Sequence, residues 1–152
     1  MLRLATALAL VAPIPAMAAL SCTTSAQIVA FGNYDPLSVT PTDSTGQVTV
    51  TCTNLVSLFV NYTISLSTGV SGSYASRQMD LSGKRLNYNL YTDLTHLLVW
   101  GDGTTGTSQV SGGFFAVLIG ASANSTVYGR IPARQNAAVG SYSDTITVTV
   151  TY

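Results

Sequence analysis

Strict alternation of apolar and polar side chains is the feature that most constrains how this chain folds. It is clearest over residues 145–152, where Ile146, Val148, Val150 and Tyr152 alternate with threonines. Successive side chains of a β-strand point to opposite faces, so this pattern predicts a half-buried strand with one apolar and one threonine-lined face. No segment shows the 3.6-residue periodicity of an amphipathic helix. The sequence therefore predicts an all-β protein.

Further strand-like segments recur along the chain. They cover residues 47–51, 59–66, 86–91, 114–119 and 127–131. The segment 114–119 is almost wholly apolar, which is typical of a strand covered on both faces. Glycine-containing turn signals, among them Ser82-Gly83 and Gly112-Gly113, separate the segments. Short strands at this spacing, with no helical stretch between them, predict a β-sandwich.

Residues 1–18 have the pattern of a secretory signal peptide. A basic residue near the start is followed by an apolar run at 4–11, and Ala16-Met17-Ala18 offers small residues where a signal peptidase reads. We therefore expect export and a mature domain of residues 19–152. An anchoring helix is the alternative, but two prolines interrupt a segment that is already too short to span a bilayer.

The charge of the chain argues against several classes of partner. Charged residues make up only 8% of the sequence and the formal net charge is zero. Without a basic face, the protein is not expected to bind nucleic acid or anionic lipid. No later segment is long and apolar enough for a membrane helix, so we expect no direct membrane span.

The two cysteines, Cys22 and Cys52, are expected to form one structural disulfide. In an oxidising compartment an even pair most simply bonds to itself. A catalytic thiol pair would normally be spaced C-x-x-C near a helix, whereas these two lie far apart on strand-like sequence.

Titratable residues give no catalytic or metal-binding constellation. The only histidine, His96, lies near Asp93, and Asp102 is flanked by two glycines, which is typical of a turn. Acid/base chemistry needs a converged set of such groups, and these lack metal-ligand spacing. We therefore expect no enzyme activity, no cofactor and no metal, and we expect Arg130, Arg134 and Lys84-Arg85 to be solvated charges.

Three aromatic residues, Tyr91, Trp100 and Phe114, have two open interpretations. With the apolar residues 97–99, Trp100 could form an exposed adhesive surface. Burial in the core is favoured, because long apolar runs usually fill cores, and the same holds for Phe114.

The order of motifs resembles the Spore Coat Protein U domain family, which includes the pilins of archaic chaperone–usher systems. Seven pieces follow Cys22 in order: 31–37 (FGNYDPL), 48–52 (VTVTC), 77–79 (RQM), 86–93 (LNYNLYTD), 99–103 (VWGDG), 128–132 (YGRIP) and 140–150 (GSYSDTITVTV). The resemblance implies an immunoglobulin-like sandwich that lacks its last strand. It also implies passage through the periplasm with a chaperone, export through an outer-membrane usher to the cell surface, and strand donation by other pilin subunits.

An incomplete sandwich would leave an apolar groove beside the last strand. We expect Ile28, Val29 and Phe31 to form one wall. Ile146, Val148 and Val150 are expected to form the other, and a foreign strand would satisfy the unpaired backbone between them. The alternative is an ordinary sheet edge guarded by threonines, or a strand already paired on both sides.

The chain departs from the pilin pattern at its start. A donor strand needs about ten alternating residues ahead of the fold, but predicted cleavage leaves only Ala19-Leu20-Ser21 before Cys22. This predicts a subunit that accepts a strand without donating one, as at a terminal or tip position. An upstream start codon and a non-polymerising role stay open. A freestanding carbohydrate- or surface-binding module is the second hypothesis, and a secreted hydrolase is a third without candidate residues.

Overall fold

The computed structural model describes residues 20–53, 59–115 and 120–152 and shows an all-β architecture. These ranges contain eight strands and one turn of 3-10 helix at Gly69–Ser71. The strands are β1 (Ser21–Gln27), β2 (Thr42–Thr53), β3 (Phe59–Leu66), β4 (Arg77–Leu81), β5 (Lys84–Tyr91), β6 (Val110–Phe115), β7 (Ala121–Ile131) and β8 (Val148–Thr151). No helix in the described ranges could cross a bilayer. The predicted signal peptide lies outside these ranges and stays a prediction.

The strands form two antiparallel sheets that pack as an immunoglobulin-like sandwich. One sheet has five strands in the order β1-β2-β7-β5-β4, and the other has three in the order β6-β3-β8. Residues from both sheets meet in a single core that contains Val50, Ile64, Leu90 and Trp100. The predicted all-β sandwich is thus confirmed.

Alternation along each strand explains why these segments pack in this way. In β2, Val48, Val50 and Cys52 are buried, whereas the threonines between them face outward. The residues of β3 alternate in the same manner, with Tyr62 and Ile64 among its buried side chains. Both strands therefore bury one face and leave the other to water.

The expected disulfide joins Cys22 of β1 to Cys52 of β2. The two residues are direct cross-strand partners with Cα atoms 4.0 Å apart. The bond therefore fixes the edge strand β1 to the sheet beside it.

The C-terminal strand is shorter than its pattern predicts. Alternation begins at residue 145, but β8 begins at Val148. Before it, Ser143 forms an isolated bridge with Asp80 of β4, in the opposite sheet. The chain crosses from one sheet to the other over residues 144–147, so these residues cannot all pair with β3.

The segment 114–119 was predicted to be a strand covered on both faces. Its described residues, 114 and 115, are covered on one face only. Phe114 is buried, whereas Phe115 is 77% exposed, so β6 alternates like its neighbours. Residues 116–119 lie outside the described ranges. Gly112 and Gly113, predicted as a turn, lie within β6, where a Cβ would meet the rings of Tyr62 and Phe59 at 2.5 Å or less.

Candidate functional site

An open groove separates residues 26–31 from residues 142–148 on one side of the sandwich. Two adjoining cavities of about 410 and 510 Å³ make up the groove. They share four lining residues, Val29, Phe31, Met79 and Tyr142. The floor of the smaller cavity consists of core side chains: Val48, Leu66, Tyr88, Leu90 and Val127.

The first wall forms where the chain leaves β1 and passes over two glycines. A Cβ on Gly129 would lie 2.7 Å from the side chains of both Val29 and Phe31, and a Cβ on Gly46 would lie 2.8 Å from Val29. The backbone of this wall is tied to β2, because the hydroxyl of Ser44 donates to the carbonyl of Ala30 at 2.6 Å. Glycine at these positions is therefore what lets the wall approach the sheet so closely.

The second wall is held by the carboxylate of Asp144. It accepts hydrogen bonds from the Tyr88 hydroxyl at 2.7 Å and from the Val70 amide at 2.9 Å. Burial raises the pKa of Tyr88, and the bond to Asp144 raises it further. The phenol therefore stays a hydrogen-bond donor, and it anchors the crossing segment on the groove floor.

The outer edge of β8 has backbone groups that point into the groove. The carbonyl of Thr147 accepts from the Ser67 amide at 3.0 Å, so Thr147 bonds toward β3. Backbone direction alternates along an antiparallel strand, so the amides and carbonyls of Val148 and Val150 point away from β3. No strand in the described part of the chain pairs with this edge.

Behind the groove floor lies a buried arginine that sequence reasoning did not single out for burial. Arg77 is fully buried. Its guanidinium donates to the carbonyls of Ser67 and Trp100 and to the side-chain oxygen of Asn89, at 2.6–2.9 Å. Loss of hydration lowers the pKa of Arg77. The sequence carried a signal, because Arg77 alternates with two apolar residues, Met79 and Leu81, and so shares their inward face.

Five of the six residues predicted to wall the groove line the smaller cavity: Ile28, Val29, Phe31, Ile146 and Val148. Val29 and Phe31 are half-buried, and Ile28 is 83% exposed. Val150 lies on β8 beyond the lining residues. The structure therefore places the two predicted walls opposite each other, and their use in strand binding stays a prediction.

The three aromatic residues considered as an adhesive surface do not form one. Trp100 is fully buried, with its indole N–H donating to the Ile64 carbonyl at 3.0 Å. Phe114 is buried and stacks on Tyr62 at 5.1 Å, and Tyr91 is half-buried against His96. Burial in the core, the favoured interpretation, is therefore observed for Trp100 and Phe114, as is usual for large aromatic rings in apolar runs.

Exposed apolar residues lie instead on the loop between Tyr91 and Val99. Leu94, Leu97 and Leu98 are 72%, 78% and 52% exposed. The Asp93 carboxylate fixes this leucine loop by accepting from the amides of Leu97 and Leu98. The Thr95 hydroxyl also donates to Asp93 and, with these amides, lowers the pKa of Asp93 to about 2.

The residues considered for chemistry are dispersed or already paired. His96 packs on Tyr91, with Nε2 3.9 Å from the Asp43 carboxylate, while Arg130 holds the same carboxylate through two bonds of 2.6 and 2.7 Å. Arg130 is therefore ion-paired, which the sequence did not predict. The bonds to Arg130 lower the pKa of Asp43. Among the described residues, no three His, Cys, Asp or Glu side chains converge to hold a metal.

The fold and the groove define an immunoglobulin-like sandwich protein with an unpaired edge at its last strand. The chain belongs to the Spore Coat Protein U domain family, whose model matches residues 5–149. It is similar to Protein U of Myxococcus xanthus, with 33% identity over 131 residues that cover 80% of this chain and 70% of that protein.

A solved structure shares the fold. It is the CsuC–CsuE chaperone–tip adhesion subunit pre-assembly complex from archaic chaperone–usher Csu pili of Acinetobacter baumannii. The TM-score is 0.57 at 23% identity, and the match covers 88% of this chain but only 40% of the solved one. Neither the family description nor the names of these relatives denote an enzyme.

Proposed function

We propose that this protein is an exported structural subunit of a surface coat or chaperone–usher fibre, and that a β-strand of another chain fills its groove. One observation carries the proposal: the backbone groups of Val148 that point away from β3 lie beside a cavity whose floor consists of core side chains. A single added strand would satisfy those groups and cover that floor at once.

The partners follow from the same surface. An apolar groove with an unpaired edge promotes aggregation, so a periplasmic chaperone is the expected partner before assembly. Another pilin-like subunit is the expected partner afterwards, and an outer-membrane usher is the expected export route. The solved relative supports this, since it is a complex of a chaperone with a tip adhesion subunit.

Thermal unfolding with strand peptides tests the proposal. The probe is a ten-residue peptide that alternates valine and threonine, compared with a peptide of the same composition whose alternation is scrambled. The alternating peptide should raise the melting temperature of the protein progressively with concentration, because it binds only the folded state. An equal effect of the two peptides would contradict strand binding.

A matched pair of variants locates the effect. Val148→Asp places a charge on the groove wall, whereas Val39→Asp makes the same change at a residue that is 67% exposed and lies outside the groove lining. Val148→Asp should abolish the peptide-induced shift and Val39→Asp should keep it. The opposite result would place the peptide elsewhere.

The leucine loop favours a second function, adhesion to apolar surfaces, as in a tip subunit. Three exposed leucines on a loop already ordered by Asp93 can contact a surface with little further loss of conformational freedom. None of the three lines the groove.

Adsorption to polystyrene beads distinguishes the two functions. Leu97→Ser should reduce adsorption while leaving the peptide-induced melting shift intact. Leu37→Ser is the matched control, because Leu37 is 85% exposed on a different loop. Equal adsorption of the two variants would remove the leucine loop as the contact.

A further inference from the structure

The edge strand β1 is a second unpaired edge, and it lacks the devices that usually protect one. It pairs with β2 in an unbroken register from Ser21 to Gln27, so it contains no bulge. Its sequence, SCTTSAQ, has no charge and no proline, and six of its seven residues are exposed. Native edge strands are normally blunted by charges, prolines, bulges or covering segments.

The other edge of the same sheet shows such protection. At β4, Asp80 exchanges backbone hydrogen bonds of 2.8 and 3.2 Å with Ser143, so the crossing segment covers part of that edge. Asp80 also places a charge there and pairs with Arg85. Among the described residues nothing pairs with the outer side of β1. The five-stranded sheet therefore has one protected edge, at β4, and one unprotected edge, at β1.

The cross-strand geometry shows which backbone groups β1 presents. The Cα atoms of Cys22 and Cys52 are 4.0 Å apart, which is the short spacing of a non-hydrogen-bonded pair. The amide and carbonyl of Cys22 therefore point away from β2. By alternation the same holds for Thr24 and Ala26. The disulfide holds this edge against fraying, so little order is lost when it pairs.

We propose that β1 pairs antiparallel with β1 of a second copy of this chain, about a two-fold axis at Thr24. In this register Cys22 lies opposite Ala26 of the other copy, and Thr24 lies opposite itself. The three pairs exchange about six backbone hydrogen bonds. The two five-stranded sheets then form one continuous sheet.

A second copy suits this edge better than a charged or basic partner. An isologous contact needs a self-complementary surface, and an uncharged strand meets itself without repulsion. Thr23 would face Ser25 of the other copy, which is a favourable cross-strand pair of hydroxyl side chains. The formal net charge of zero also opposes association less than a net charge would. This inference does not rest on the proposed function of the groove, although Ala26 belongs both to β1 and to the lining of the smaller cavity.

Site-specific cross-linking tests the register. In Thr24→Cys the new thiols of two copies should face each other at the Cα spacing of about 5.5 Å that suits a disulfide. Mild oxidation should give a covalent dimer linked through residue 24, identified by mass spectrometry. Ser25→Cys is the matched control on the same strand, because Ser25 faces Thr23 and not itself. Cross-linking of Ser25→Cys as fast as Thr24→Cys would overturn the proposal.

Sedimentation of the exported, purified protein supplies an independent measurement. The wild type should show a monomer–dimer equilibrium that shifts with concentration. Thr24→Pro removes an outward amide and leaves the bonds to β2 intact, so it should be monomeric with an unchanged circular dichroism spectrum. A wild type that stays monomeric from micromolar to millimolar concentration would overturn the proposal. So would a dimer that survives in Thr24→Pro, which would place the contact elsewhere, for example at the groove.

Discussion

Arg77 shows how one side chain can organise the interior between two sheets. It is the only charged residue that is fully buried in the described ranges. Its bonds to Ser67 and Trp100 reach segments that follow β3 and precede β6, while Asn89 belongs to β5 of the other sheet. The carbonyl oxygens of Ser67 and Trp100 would lose their partner together with the arginine, whereas the Asn89 oxygen would keep the bond from the Leu90 amide. An unpaired buried polar group is costly.

Replacing Arg77 should therefore destabilise the fold far more than replacing an exposed cation. Arg77→Met should lower the free energy of unfolding by roughly 3–5 kcal/mol, because it leaves the carbonyl oxygens of Ser67 and Trp100 unpaired. Lys84→Met, at an exposed position of β5, should change it by less than about 0.5 kcal/mol. Urea denaturation measures both. Similar losses in the two variants would show that the arginine network contributes little.

The leucine loop should open in strong acid because its anchor is a carboxylate. The pKa of Asp93 is about 2, below the value of about 3.9 for an unfolded aspartate. The stabilising effect is therefore fully present above about pH 4 and is lost as the pH falls through 2. The Leu98 amide resonance should titrate with a midpoint near pH 2. In Asp93→Asn this titration should vanish, and its persistence would assign it to another group.

At the scale of the elements, the groove wall depends on the glycines beneath it. Gly129→Ala should push Val29 and Phe31 away from β7, at a cost of about 1–3 kcal/mol for overpacking. Thr126→Ala, on the outer face of the same strand, should be close to neutral. Urea denaturation measures the stability, and the alternating peptide should bind Gly129→Ala less tightly. Unchanged stability and binding would mean that the wall adapts freely.

Strands were predictable from sequence where the alternation of apolar and polar residues depends only on the strand itself. Residues 59–66 were predicted as a strand and are observed with the same bounds. A half-buried strand is recognisable in a sequence because its apolar residues recur at every second position. The C-terminal strand was predicted too long. Alternation indicates which side chains face inward, but it does not indicate which strand the backbone is hydrogen-bonded to. Residues 144–147 keep the alternation while they cross between sheets, so only the fold could reveal the crossing.

The candidate site was predictable in part for the same reason. The second wall consists of apolar residues in an alternating run, and Ile146 and Val148 were identified in this way. The first wall was identified from its apolar residues alone. The buried role of Arg77 was missed because its partners are main-chain carbonyls, which carry no sequence signal. The burial favoured for Trp100 is observed, whereas Leu97 and Leu98 of the same apolar run are exposed on the loop that Asp93 holds.

At the scale of the whole molecule, the disulfide should contribute a large part of the stability. It closes a loop of 30 residues, which corresponds to roughly 3–4 kcal/mol in the chain-entropy treatment. The double variant Cys22→Ala/Cys52→Ala should lose about that amount in urea denaturation. Adding a reductant should destabilise the wild type and leave the double variant unchanged. Equal sensitivity of both proteins would point to an effect unrelated to this bond.

The floor of the groove has a consequence for how this protein is characterised. Val48, Leu66 and Leu90 already belong to the core, yet they also line a cavity that opens to solvent. If a guest strand completes that core, the interior of the molecule belongs to two polypeptides. A melting temperature recorded on the isolated chain would then describe a fold that still lacks one strand. Its value would change with the peptides present in the solution, because a peptide that binds the folded state stabilises it.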